Sequence, residues 1–364
     1  MKKFLILFLL LFLSGIMAFA QTDLQSVARV FLTRSEPITV RQLRVEMERM
    51  AWPNLSARLG RNPTAAELTR EVQNSTLQQR RQVLDVMINE RLAMQAAERD
   101  RVTVSDAELN QQVAMLRTQM AQGIGRQPTE DEFAVAIRNE TGMDLPAFRE
   151  SVRRQLITQK YLVSQKQELL TSIREPTEAE IVNFFNLSRA QFVRPDMVRF
   201  SMIQVPYGPD AASRARAREL ADRLSRDIAF DSSRFDETVL RGQAPNAGFQ
   251  AGDGGYIPRN MLAQQRAGED FINTAFSLRQ GEVSRVIEGV PGFQIIKITE
   301  TLPQTSLGLD EILEPGTRIT VRQFIAGNLM QQRQQEVLAQ ATQELVSELR
   351  AAGNFQIMEN NLNW

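Results

Sequence analysis

The sequence predicts an α+β fold, on three observations. From about residue 39 to about 190, apolar residues recur with the helical period and hydroxyl residues mark regular helix starts. Two short strand-like runs, 198 to 205 and 292 to 299, then flank a glycine-rich stretch. A long amphipathic helix over about 318 to 352 follows, before a last short apolar run. Helices and strands segregated along a chain in this way point to α+β rather than to alternating βαβ units.

Residues 1 to 20 begin with Lys2-Lys3, run through the ten apolar residues 4 to 13 and end Ala18-Phe19-Ala20. That pattern is a secretory signal peptide, with cleavage expected after Ala20. A retained anchor is the alternative, but ten apolar residues fall short of the roughly 20 that span a bilayer. The membrane is therefore expected to be met only transiently, through this leader.

Residues 26 to 32 read as a strand, and Thr39 as the N-cap of a helix burying Val40, Leu43, Met47 and Met50. Further helix starts follow at Thr64, Ser105, Thr129 and Thr177, each with a glutamate three residues on. Such a pair satisfies two orphan amides, so these carboxylates are caps rather than catalytic acids. The longest helix of this half, 77 to 100, aligns Leu77, Leu84, Met87, Ile88, Leu92 and Ala96. Another, about 146 to 172, carries Phe148, Val152, Leu156, Tyr161 and Leu162. Recurrent methionines here are either core filling or an adaptable surface for varied apolar peptides.

Arg194-Pro195 marks a boundary. Beyond the strand at 198 to 205, a helix over 211 to 228 lines up Ala217, Leu220, Ala221, Leu224 and Ile228, and Phe235 and Val239 suggest a shorter one. Residues 242 to 255, with five glycines, read as a loop. No Lys-Ser/Thr pair follows that loop to cradle a phosphate. Residues 302 to 317 read as a linker. The helix after it has apolar ends, through Val321, Phe324 and Ile325 and then Leu338, Ala341, Leu345 and Leu349, around a wholly polar middle at 331 to 336. It is expected to touch something at each end, to stop at Gly353 and to precede a strand over 355 to 358.

Composition removes whole classes of function. Among 364 residues there is neither cysteine nor histidine, which excludes thiol nucleophiles, disulfides, Ser-His-Asp chemistry and cysteine- or histidine-ligated metals. Basic and acidic residues number 43 each, so nothing argues for a nucleic-acid partner. No metal and no cofactor is expected.

Four motifs remain: Val198-Arg199-Phe200-Ser201-Met202-Ile203, Gly252-Asp253-Gly254-Gly255-Tyr256, Ala275-Phe276-Ser277-Leu278 with Gly281-Glu282-Val283, and Gly292-Phe293-Gln294-Ile295-Ile296-Lys297. In this order and spacing they resemble the parvulin family of peptidyl-prolyl isomerases over residues 197 to 301. Beyond that segment, Leu84 to Leu92 and Val102 to Leu109 extend the resemblance to the SurA and PrsA type of exported foldase. It implies a helical chaperone domain formed from N- and C-terminal segments, with an inserted parvulin-like α/β domain. The implied spans are 1–20 signal peptide, 21–195 N-terminal helical domain, 196–302 parvulin-like domain, and 303–364 linker and C-terminal helix packing back on the N-terminal domain. It further implies that 27 to 31 pair with 355 to 358.

The resemblance also locates a site and a departure from the family. Its two histidines fall at Met202 and Gln294, and its usual aspartate or cysteine falls near Gln243 to Asn246, where neither is present. No catalytic residue is assigned. Proline-pocket roles are implied for Tyr256, Ile257, Met261, Leu262, Phe271 and Phe276, and alternation puts Gln294 inward with Ile296 and Ile298. The expected function is a periplasmic, ATP-independent holdase or foldase that binds unfolded exported polypeptides, envelope or outer-membrane proteins, with a catalytically degenerate parvulin domain. The alternatives are an active parvulin isomerase and a fixed subunit of an envelope assembly.

Overall fold

The structure is a computed structural model that describes residues 23–364 apart from 209, 232, 245, 246 and 352. The leader and its cleavage after Ala20 lie outside the described residues. The fold is α+β and divides into two compact units: the residues up to Ile173 with Arg333–Trp364, and Arg174–Gln332.

In the first unit, strands β1 (Ser26–Val30) and β2 (Glu36–Thr39) lead into helices α1 (Val40–Leu59), α2 (Ala65–Gln73), α3 (Leu77–Arg99), α4 (Asp106–Ile124), α5 (Glu130–Thr141), α6 (Leu145–Gln165) and α7 (Gln167–Thr171). Thr64, Ser105 and Thr129 each accept a hydrogen bond from the amide three residues on, and the glutamate there returns the bond. Thr39 and Thr76 do the same with Gln42 and Gln79. The buried stripe of α1 follows i+4 spacing through Leu43, Met47 and Leu55, so Met50, expected inside, is 46% exposed. The helix expected over 146 to 172 breaks at Lys166 into α6 and α7.

In the second unit, α8 (Glu178–Ser188) and β3 (Val193–Arg194) precede β4 (Met197–Pro206), α9 (Ala211–Phe230), α10 (Arg234–Gly242), β5 (Gln250–Pro258), α11 (Met261–Ala267), α12 (Glu269–Ser277), β6 (Ile287–Gly289), β7 (Gly292–Leu302) and β8 (Thr305–Ser306). Strands β5-β4-β7-β6 form one antiparallel sheet in that order. The stretch read as a linker is part of this unit: β8 pairs with β3, and Leu307 is buried with Ile181, Phe185, Phe192, Val321 and Ile325. The division therefore falls at 173/174 and 332/333, and not at the expected 195/196 and 302/303. Ile181 and Phe185 of α8 are buried in this unit, the Phe185 ring stacked on Phe192 with centroids 5.6 Å apart.

The long helix α13 (Val321–Ala351) serves both cores. Its first turns bury Val321 and Ile325 in the second unit, and its last turns bury Ala341, Leu345 and Leu349 in the first. The polar middle read from the sequence coincides with the division between units. After Gly353, at φ 65°, strand β9 (Phe355–Ile357) pairs antiparallel with β1, Val30 against Phe355 and Ala28 against Ile357. The sequence ends of the first unit thus share one three-stranded sheet, β2-β1-β9. Arg80 reinforces the closure by donating to the carbonyls of Leu362, Gln73 and Ser75, with its guanidinium 4.0 Å above the Trp364 ring.

Candidate functional site

The four-stranded sheet has two apolar faces. One, through Ile203, Val205, Phe293 and Ile295, is covered by Ala217, Ala221, Leu224 and Ile228 of α9 and by Phe235 of α10. The other carries Val198, Phe200, Ile296 and Ile298 against Ala263, Phe271, Ile272 and Ala275 of α11 and α12. Met202, Ile257 and Phe276 pack at the margin of this second face. The Phe271 ring stands edge-on to Phe200 with centroids 5.2 Å apart.

Met202 and Gln294 lie on this same second face. Register sets Met202 opposite Ile296 and Gln204 opposite Gln294, which makes Met202 and Gln294 diagonal neighbours on adjacent strands. Gln294 is 6% exposed, and its Oε1 has no hydrogen-bond partner among the described residues. An acceptor stranded in this way costs about 1–3 kcal/mol of desolvation. The residues that β4 and β7 turn to this face, from Val198 to Gln204 and from Gln294 to Ile298, include no ionisable side chain. Proton transfer by those two strands is therefore absent from the chemistry available here. What these strands contribute to the face is buried apolar side chains, a thioether and amides.

The glycine-rich stretch explains how the face is built. It is not a loop at its end but the edge strand β5, and it carries a bulge: Met202 faces Gly252, whereas Phe200 faces Gly255 and Val198 faces Ile257. Gly255 takes φ +74°, the left-handed conformation that bulges of this kind recruit glycine for. At Gly254 a Cβ would come within 2.2 Å of the Phe200 ring, so only glycine allows that ring its position. The extra residue reverses the alternation. Ile257 is turned onto the face with Phe271, and Tyr256 is turned off it.

Tyr256, expected in the pocket, is thus on the opposite face. Its hydroxyl donates to Glu300 at 2.5 Å, which pushes the phenol pKa up, and Arg199 lies 5.5 Å over its ring. Arg199 also bonds Asp253 at 2.5 Å; with the Gly255 amide, it holds that carboxyl below its ordinary range. Met261 and Leu262 do not join that buried cluster either. Ala263 and Ala267, four apart, take the inward side of α11, which leaves Met261 73% and Leu262 53% exposed. Of the six pocket residues expected, the fold brings together Ile257, Phe271 and Phe276. Of the stretch 243 to 246, Gln243 caps α10, and residues 245 and 246 lie outside the described set.

The Gly-Glu-Val motif proves to be a turn. Gly281 takes φ +87° and donates to the Ile298 carbonyl, while Glu282 accepts from the Arg279 amide at 2.8 Å. The chain then pairs with β7, and Ser284 accepts from the Ile296 amide at 2.9 Å. Sequence reading passed over Gln204 and Gly289. Gln204 was within reach, since it follows Met202 by two residues on the same strand face. Gly289 was not, because only the β6–β7 register places it beside Gln294: a Cβ there would lie 2.8 Å from Gln294 Oε1.

Comparison with known proteins divides the chain in the same sense. Residues 1–162 match the SurA-like N-terminal domain, and residues 176–314 match the PPIC-type PPIase domain. The chaperone SurA of Alcanivorax borkumensis is 30% identical over 229 residues, covering 61% of this chain and 47% of that protein. SurA of Saccharophagus degradans is 29% identical over 226 residues, covering 61% and 48%. The chain spans about half the length of the curated relatives it matches. Among solved structures, one of the SurA-like chaperones PEB4 and Cj1289 of Campylobacter jejuni covers 92% of this chain and 99% of its own at 13% identity, with a TM-score of 0.35. The PrsA isomerase of Bacillus anthracis covers 76% and 99% at 18% identity, with a TM-score of 0.23.

Proposed function

We propose, from the premise that this chain joins a SurA-like N-terminal domain to one PPIC-type domain, that it is an exported, ATP-independent chaperone. Its clients are unfolded envelope or outer-membrane polypeptides, held in the periplasm by apolar contact. The observation that carries this reading is the substitution of the polar centre: Met202 and Gln294 stand on an apolar sheet face where the parvulin resemblance implies histidines. Rotation about a prolyl amide faces a barrier of about 18–20 kcal/mol, and a catalyst must bind the twisted amide better than the planar forms. Losing about 4 kcal/mol of that preference slows the step roughly a thousandfold. On this reading the PPIC-type domain binds and does not usefully catalyse.

A second reading, an active isomerase, draws on the retained cluster of Met202, Ile257, Phe271 and Phe276. The two separate in one paired experiment that follows proline-limited refolding of a client and suppression of its aggregation. The expected outcome is suppression without acceleration. Acceleration that disappears in Phe271→Ala would establish the isomerase instead, and a protein that neither protects an unfolded client nor accelerates its refolding would leave neither standing.

A further inference from the structure

We propose that a cavity among α4, α5 and α6 of the first unit docks polypeptide segments in which a lysine or arginine sits beside apolar residues, with Glu140 receiving the cation. This rests on the reading that the chain holds unfolded polypeptide, and it adds a second surface to that reading. The three helices close around a small core of their own, through Leu109, Val113, Phe133, Ile137 and Val152. The cavity, of about 500 Å³, lies beside that core. Its size falls within the range of about 300–1,000 Å³ typical of ligand sites. It is reached from solvent. Phe133, Ile137 and Val152 line it as buried residues, Met120 and Phe148 are half-buried, and Gln119, Glu140 and Gln155 are exposed. The Phe148 ring stands edge-on to Phe133 with centroids 6.3 Å apart. The Met120 thioether is flexible and can follow apolar side chains of differing shape.

Glu140 gives the cavity its sign. Phe133, Ile137 and Glu140 follow i, i+4, i+7 spacing, so the carboxylate continues the apolar stripe of α5 and overhangs the cavity. It also stands in the last turn of α5, where the helix dipole favours a cation over a carboxylate. Arg138, the basic residue of that turn, is two positions away and projects from the other side of the helix. The arginines next in sequence to lining residues of α4 and α6 are committed elsewhere: Arg117 to the Pro128 carbonyl, Arg149 to Asn110 and Arg153 to Asp106. At the start of α5, Glu132 is paired with Arg126 at 2.5 Å. Glu140 has no such partner among the described residues. The cavity thus pairs an apolar floor with one uncompensated negative charge. Gln119 and Gln155 add uncharged amides that can donate to and accept from a backbone. A cation carried on an apolar stretch of polypeptide is the complement of that arrangement.

The test uses the full chain and labelled apolar nonapeptides that differ only in a central arginine, lysine, citrulline or glutamate, titrated by fluorescence anisotropy. The arginine and lysine peptides are expected to bind the wild type about 2- to 5-fold more tightly than the citrulline peptide, as an exposed ion pair allows. Salt at about 1 M, where the screening length is about 3 Å, should abolish that margin. Glu140→Gln should abolish it at low salt, and Glu140→Lys should invert it in favour of the glutamate peptide. Ala136→Phe, which fills the cavity, should weaken all four peptides together. Glu140 is exposed in a last helical turn, so both variants at 140 are expected to melt at or slightly above the wild-type temperature. The proposal is overturned if no peptide binds, if the arginine and citrulline peptides bind the wild type alike, or if the margin survives in Glu140→Gln. It is overturned too if the wild type is a dimer that Ala136→Phe splits, since the occupant would then be a second copy of the chain. Aggregation suppression measured on the same preparations separates the two levels. Suppression retained alongside any of those outcomes sinks only this inference, whereas suppression absent from the wild type sinks the chaperone reading.

Discussion

The two faces of one four-stranded sheet have been treated differently. Under α9 and α10 the face is closed: Ile203, Phe235 and Ile295 are at most 1% exposed, and the ionisable partner at its margin, Lys297, is paired with Asp236 at 2.7 Å. Under α11 and α12 the face is apolar but unfinished, with a stranded amide oxygen, a marginal methionine and two exposed apolar residues at the start of α11. Both faces come from the same strands, so propensity cannot explain the contrast. The difference is one of completion: on one face Lys297 finds Asp236, and on the other the Gln294 oxygen has no partner among the described residues.

Two substitutions press on that contrast, and a third test sets the other unit beside it. The largest effect is expected from Phe235→Ala on the closed face, about 3–5 kcal/mol of lost stability by urea unfolding. It should weaken client protection only in proportion to the unfolded fraction. Gly254→Ala should follow at about 1–3 kcal/mol, because the new methyl would collide with the Phe200 ring. Phe200 carries Phe271, so client protection should fall in this variant even at temperatures where circular dichroism reports a folded chain. Equal protection by folded Gly254→Ala and wild type would erase the distinction between the faces.

The smallest effect concerns the other unit and pH. Glu67, Glu108 and Glu132 are each pulled from 4.5 to about 2, first by Arg61, Lys160 and Arg126 and then by the capping groups Thr64, Ser105 and Thr129. A folded value below the unfolded one stabilises fully above about 4.5, and that contribution is lost as pH falls toward about 2. The urea midpoint should therefore decline across that window, and less steeply in Glu108→Gln. With no histidine in the chain, both stability and client binding should stay flat between about pH 5.5 and 7.5. A steep binding transition there would place a coupled carboxylate on the client face.

The helix starts were legible because a capping box is a local device: the hydroxyl and the glutamate that answer each other are three residues apart. The pairing of the chain's first strand with its last was legible only through resemblance, since 28 and 357 share no local signal. Leu307 was misread as linker for the same reason. Its burial depends on β3 and β8, more than a hundred residues apart, forming their two-residue ladder. Tyr256 and Ile257 were named together through the resemblance, and a single inserted residue in β5 decides which of the two shares a face with Phe271.

By itself, then, the sequence determined most helix starts of the first half, the strands at 198 to 205 and 292 to 299, and that neither Met202 nor Gln294 can titrate. Those facts depend on residue identity and on contacts within a few positions. Which of Tyr256 and Ile257 joins Phe271, which glutamines align with Gln294, and that its oxygen finds no donor among the described residues were decided by the tertiary structure. Register between strands distant in sequence sets them, and register is fixed by the summed packing of both faces rather than by any one residue.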